Sequence, residues 1–221
     1  MKKKYYEAYD GRYKVMHEKG CRWSSDIPTP IVLQTIKKYN ISHKLDILEL
    51  GCGEGRDSYP VLKEGYNLSA TDISPQVIKY CKNKYNQFFN NFAVFDFLNS
   101  NTDKKYHFIF SVAVIHMLIL DKDRNKYFSF IREHLLDTGL ALICSMGDGK
   151  IEMQTDINKA FDIVERKHKI GKVLVNSTSC RMVSFNYFEN EIKKNGLSIV
   201  EKGITKSLPD FDSLMYVIVK K

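Results

Sequence analysis

The sequence has no run of about 18 apolar residues, which excludes a membrane-spanning helix. It also has no internal repeat, no low-complexity block and no Pro/Gly/Ser-rich linker, so a modular multidomain chain is excluded. Cysteine is sparse and unpaired. Cys21, Cys52, Cys81, Cys144 and Cys180 are odd in number and none forms a C-x-x-C pair, which argues against a zinc ribbon or a thioredoxin-type centre. They are expected as reduced, mostly buried thiols, and no metal is expected. Arginine is scarce too: Arg12, Arg22, Arg56, Arg124, Arg132, Arg166 and Arg181 are all there are. The net charge of +8 therefore rests on lysines spread in ones and twos, which suits a solvated surface better than a nucleic-acid footprint. Within 221 residues, 43% hydrophobic and 27% charged residues fit one globular domain. The basic opening Met1-Lys2-Lys3-Lys4 runs into Tyr5-Tyr6-Glu7-Ala8-Tyr9-Asp10, where a signal peptide would turn apolar, so a cytoplasmic location is expected.

What the chain does contain is an alternation. Short apolar runs at 45–50, 66–71, 92–95, 108–114 and 140–144 read as strands, several of them apolar throughout, as strands covered on both faces are. Between them lie helical spacings. Ser74 is placed to cap a helix that begins at Pro75, and Tyr127, Phe128, Ile131 and Leu135 line another that Gly139 is expected to end. Ser184 and Gly196 bracket a third, and strands at 197–200 and 214–219, split by a turn at Pro209-Asp210, close the chain. The predicted fold class is α/β: a Rossmann-like, doubly wound, seven-stranded, mostly parallel sheet with an antiparallel final strand and helices on both faces. In such sheets ligands bind beyond the carboxyl ends of the strands, where the strand order reverses.

The residues at those ends carry the chemistry. Glu49-Leu50-Gly51-Cys52-Gly53-Glu54-Gly55-Arg56 is a strand entering a Gly-x-Gly-x-Gly turn, whose glycines admit positive φ and let a ligand lie against bare backbone. A dinucleotide turn needs its third glycine where Arg56 stands. Asp72 ends the second strand, 21 positions after Gly51, where a carboxylate can accept both hydroxyls of a ribose. Asp96-Phe97 follows the third strand and pairs an acceptor for an exocyclic amine with an apolar cover. Taken singly, each acid also reads as an ordinary strand-ending residue.

Together these residues resemble the class I S-adenosylmethionine-dependent methyltransferases. The resemblance covers residues 45 to 146 closely and the rest by order of elements, including the closing hairpin. It implies S-adenosylmethionine as cofactor, with S-adenosylhomocysteine as product. Glu49, Gly51, Cys52 and Gly53 would meet the methionine part, Asp72 and Ile73 the ribose, and Asp96 and Phe97 the adenine. Ser111 and Val112 would approach the cofactor's amino group, and His116 follows the fourth strand as in the small-molecule branch. One departure is His107, where the family usually has an aspartate. Asn/Asp-Pro-Pro-Tyr and Pro-Cys are both absent, against nucleic-acid base methylation. Gly53 to Ser58, and the stretch from Trp23 to Pro30, are similar to the thiopurine and tellurite-resistance type methyltransferases.

The expected activity is methyl transfer to a small-molecule nucleophile by in-line displacement. A sulfonium is already an activated donor, so a thiol or amine needs mainly alignment, whereas a hydroxyl needs a base, for which His116 is the candidate. His116 reads equally as a structural histidine. Four segments are expected: an N-terminal helical cap (1–44), the cofactor core (45–146), an acceptor-side insertion (147–183), and a C-terminal helix with hairpin (184–221). The cap carries Tyr5, Tyr9 and Tyr13 at four-residue intervals, and Tyr13, Trp23 and Arg181 are the candidate acceptor contacts. Two other readings stay open: an RNA or protein methyltransferase, and a non-catalytic nucleotide- or cofactor-binding protein.

Overall fold

A computed structural model describes residues 4–207 and 211–221. The basic opening residues 1–3 and the turn expected at Pro209-Asp210 lie outside the described residues. A single 3-10 turn at Tyr5–Glu7 leads into α1 (Ala8–Glu18) and then α2 (Pro30–Lys38). The core alternates β1 (Ile47–Leu50), α3 (Ser58–Lys63), β2 (Leu68–Asp72), α4 (Pro75–Lys84), β3 (Phe92–Val94), β4 (Tyr106–Val112), α5 (Asp121–His134) and β5 (Leu135–Met146). A small excursion follows: β6 (Met153–Gln154), β7 (Ile163–His168), β8 (Gly171–Asn176) and β9 (Arg181–Met182). The chain closes with α6 (Phe185–Lys194), β10 (Ser198–Ser207) and β11 (Phe211–Lys220).

Seven strands form one sheet in the order β10-β11-β5-β4-β1-β2-β3. β3, β2, β1, β4 and β5 run parallel, and β11 pairs antiparallel with both β5 and β10. The expected fold class is the one observed. Alternate residues of each central strand feed two separate cores, as the two-residue period of a strand requires. Leu48, Ile109 and Ile143 pack with Tyr127, Phe128, Phe188 and Ile192 of α5 and α6. Ile47, Phe108, Phe110 and Leu142 pack with Val32, Ile36, Val61, Val77 and Ile78 of α2, α3 and α4 on the other face.

The helix signals resolve as local chemistry. Ser74 accepts a hydrogen bond from the Val77 amide at 3.1 Å and Ser184 one from the Tyr187 amide at 3.3 Å, capping α4 and α6. One boundary differs from expectation. α5 stops at His134, and Gly139 lies inside β5 instead of ending the helix. A side chain at Gly139 would stand 3.0 Å from the carbonyls of His107 and Leu136, so the strand needs glycine for close backbone approach. The insertion forms two two-stranded ribbons, and β7–β8 turns Val173 and Val175 onto Met16 of α1.

Candidate active site

The strand order reverses between β1 and β4, and a cleft with about 1070 Å³ of empty space, partly open to solvent, lies at the carboxyl ends of β1, β2 and β4. Glu49, Gly51, Cys52, Gly53, Asp72, Ile73, Asp96, Phe97 and Val112 all line it, together with Tyr13 and Trp23.

The glycine turn builds the floor. Gly51, Gly53 and Gly55 have φ of +72, +52 and +76°. At Gly51 an added Cβ would stand 2.4 Å from Val114 Cγ2, so glycine is required there twice over. The turn is pinned by the Cys52 amide donating to the Thr71 carbonyl (2.8 Å) and by the Gly53 amide donating to Asp72 Oδ2 (2.9 Å). Asp72 Oδ1 accepts from the Ser74 amide at 2.9 Å. Arg56, in the place a dinucleotide turn gives to its third glycine, lines the cleft and donates to Asp57.

Burial sets the electrostatics. It pushes the Glu49 carboxyl up to about 8, helped by the charge of Asp57 and opposed by a hydrogen bond from the Ser58 hydroxyl. Asp72 is pushed up to about 6 by burial, against the Ser74 and Gly53 amides that favour its charged form. Burial, with the Asp72 and Glu54 charges nearby, keeps Tyr13 protonated far above the ordinary range of a phenol. Burial and the neighbouring Cys81 likewise hold the Cys52 thiol protonated. Asp96 has Oδ1 on the Leu98 amide (3.0 Å) and Oδ2 on Asn99 Nδ2 (2.8 Å) and Lys4 Nζ (3.0 Å). Phe97 meets Tyr127 edge-on at 5.6 Å.

Three sequence candidates do not border the cleft. Ser111 is buried against the Tyr127 hydroxyl. His116 is buried on the turn Ile115–Met117, and burial with the Arg124 charge pushes its pKa down to about 4; its neighbours Val114 and Met117 line the cleft instead. Arg181 donates to the Ile119 carbonyl, to Asp121 Oδ1 and to the Tyr187 hydroxyl, each at 2.6 Å, so its charge is met by Asp121. Of the tyrosine stripe, Tyr9 and Tyr13 face the cleft. Tyr5 does not: it donates to Asp123 at 2.8 Å, and Tyr6 takes the lining place. Sequence reasoning also missed Glu54 and Asp57, which bind the N-terminal segment. Their signal was their position inside the glycine turn, at 30 or so residues from what they hold.

Residues 48–141 match the family model described as a methyltransferase domain. A malonyl-[acyl-carrier protein] O-methyltransferase of Ilyobacter polytropus is 36% identical over 128 residues, which is 57% of this chain and 41% of that protein. The chain thus spans about two-fifths of the curated relative that it matches. Two solved structures share the fold. An S-adenosylmethionine-dependent methyltransferase from Clostridium acetobutylicum has a TM-score of 0.64 at 19% identity, over 86% of this chain and 88% of that one. The CcbJ methyltransferase from Streptomyces caelestis reaches 0.70 at 14% identity, over 100% and 99%. Residues 48–141 thus match a methyltransferase domain, and the chain shares the fold of these solved methyltransferases.

The cleft fits S-adenosylmethionine on two observations. Gly51 and Gly53 present backbone to the cleft, and the space a Cβ would need there is taken by Val114 and the Tyr13 hydroxyl, themselves at the cleft. Glu49 and Asp72 are buried carboxyls at the cleft whose pKa burial raises, and a positive ammonium or paired hydroxyls beside them would favour their charged forms.

Proposed function

We propose that this protein transfers a methyl group from S-adenosylmethionine to a small-molecule nucleophile in the cytoplasm, chiefly by positioning. The observation that carries the reading is the convergence of Glu49, Gly51, Gly53, Asp72 and Asp96 on one cleft at the switch point of the sheet. When bound, the cofactor supplies a methyl group on a sulfonium, an activated donor. In this reading the glycine turn and Glu49 hold the methionine end, Asp72 and Ile73 take the ribose, and Asp96 with Phe97 takes the adenine. Tyr6, Tyr9, Tyr13 and Trp23 wall the remaining space and exclude water, while Val114, Met117 and Leu118 close it from the β4 side. Alignment of this kind is worth on the order of 7–11 kcal/mol of a barrier. No histidine borders the cleft among the described residues, and His116 with its depressed pKa is assigned a structural role. The acceptor is accordingly one that needs little base assistance, such as a thiol, an amine or a carboxylate.

The relative's malonyl-carrier acceptor adds a carrier-bound acyl group to the candidates. The decisive experiment is a screen with methyl-labelled S-adenosylmethionine across thiols, amines, carboxylic acids, phenols and a malonyl-loaded carrier protein. Labelling of a thiol, amine or carboxylate supports the reading. Labelling confined to RNA or to protein side chains overturns it.

A further inference from the structure

Glu54 sits between the second and third glycines of the cofactor turn, yet every bond its carboxylate makes runs to the N-terminal segment. Its side chain is fully buried. Oε1 accepts from the Trp23 amide (3.0 Å) and contacts His17 Nε2 (2.8 Å). Oε2 accepts from the Ser24 amide and the Ser24 hydroxyl, each at 2.7 Å, and Arg22 Nε lies 3.8 Å away. Arg22 also donates to the Glu54 carbonyl at 3.2 Å. Burial alone would raise the Glu54 pKa, but the bonds from His17, Ser24 and Trp23 outweigh it and keep the group below the usual carboxylate range.

Both residues held through their amides, Trp23 and Ser24, line the cleft. His17 extends the connection to a third lining residue, because its ring stacks on Tyr13 at 6.1 Å and on Tyr80 at 4.4 Å. Trp23 in turn stacks on His168 of β7 at 5.7 Å and lies under Arg12 at 4.4 Å, so this ring links the insertion to the glycine turn.

We infer that Glu54 is a positioning residue, which fastens the acceptor wall of Tyr13, Trp23 and Ser24 to the turn that grips the cofactor. The two halves of the cleft then form together: a turn settled by cofactor also settles the wall against which the acceptor packs. This rests on the cofactor reading given above, but the fastening itself exists in the free protein and is measurable without any turnover.

Trp23 is the chain's single tryptophan, so its emission reports on the wall alone. The full chain and its Glu54→Gln variant are titrated with S-adenosylhomocysteine, with heat of binding and Trp23 emission followed in parallel. Acrylamide quenching of Trp23 is measured in the free proteins. In the unaltered chain the ligand shifts Trp23 emission and shields it from quencher. In Glu54→Gln the heat of binding persists with affinity changed by no more than about tenfold, while the Trp23 response is lost and quenching in the free protein rises about twofold. Ser24→Ala, which removes one of the four bonds, gives a smaller change in the same direction and guards against a Glu54 variant that does not fold. A merely structural role would lower the melting temperature and leave the ligand-induced Trp23 response intact; that result, or unchanged quenching in both variants, overturns the inference. If neither protein binds S-adenosylhomocysteine, the cofactor reading fails and the quenching result alone decides for or against the fastening.

Discussion

Two buried acids dominate the residue scale. In the folded free protein Glu49 keeps its proton to about pH 8, whereas in the unfolded chain a glutamate loses it near 4.3. Between those values the folded state binds more protons than the unfolded one, so stability falls as pH rises through that window. Glu49→Gln removes this titration. The variant is expected to match the unaltered chain near pH 4 and to exceed it at pH 8.5 by a few kcal/mol, on the order of what a shift of this size implies. Asp72, held at about 6, adds slope of the same sign, and His116, pushed down to about 4, opposes it below the ordinary histidine value near 6.5. Urea midpoints of both proteins across this range test the point, and parallel curves would contradict it. The same variant is expected to bind S-adenosylmethionine more weakly, the exchange of stability for function common at buried polar sites.

These residues were legible because each stands at the end of a strand. A strand end fixes which side chain faces the space beyond it, and Glu49, Asp72 and Asp96, at or close to the ends of β1, β2 and β3, all line the cleft. The exit of β4 departs from that rule. Ala113 has φ of +59°, and the tight turn after it brings Val114 and Met117 to the cleft while His116 is buried away from the lining. A one-residue difference inside such a turn has no periodicity to announce it. Arg181 was misplaced for another reason: its partner Asp121 is 60 positions away, and a charge pair across the fold leaves no local pattern.

At the scale of elements, the caps and faces follow from short-range rules. Ser74 does two jobs at once, since its hydroxyl accepts from the Val77 amide and donates to Asp10 Oδ1 of α1 at 2.5 Å. Ser74→Ala removes the cap of α4 and one tie between α1 and α4, leaving the Gln76 amide on Asp10 Oδ1 at 3.3 Å. The expected loss is about 1–2 kcal/mol, seen as a fall of roughly 2–8 °C in melting temperature. A change within error would show that neither bond contributes. The α5–β5 boundary was not legible, because Leu135 continues the spacing of Tyr127, Phe128 and Ile131 as well as it begins a strand. Pairing with the distant β4, Tyr106 beside Leu135 and Phe108 beside Leu140, selects the strand, and Gly139 permits the close approach to the His107 carbonyl. The β7–β8 ribbon was equally hidden: Val173 and Val175 are buried against Met16 of α1, with Val15, Cys21 and Trp23 packed around them.

For the whole molecule, the parallel core and its closing antiparallel pair were readable as an alternation of apolar runs and helical spacings. How the flanks fold over that core was not. The N-terminal segment is held by carboxylates of the core, Glu54 on Trp23 and Ser24, Asp57 on the Thr29 amide and hydroxyl, and Asp96 on Lys4. The result is one continuous cleft, with acids and bare backbone on the sheet side and aromatic rings on the cap side. Among the described residues no lysine lines it, and Lys4 reaches it only through its bond to Asp96.

The central claim is that this cleft holds S-adenosylmethionine through Asp72 and not a dinucleotide. Calorimetry with S-adenosylhomocysteine and with NAD, on the unaltered chain and on Asp72→Ala, tests it most directly. S-adenosylhomocysteine is expected to bind the unaltered chain, with affinity lost by about a hundredfold or more in Asp72→Ala, and NAD is expected to bind neither. Binding of NAD alone, or S-adenosylhomocysteine binding indifferent to Asp72, would contradict the account.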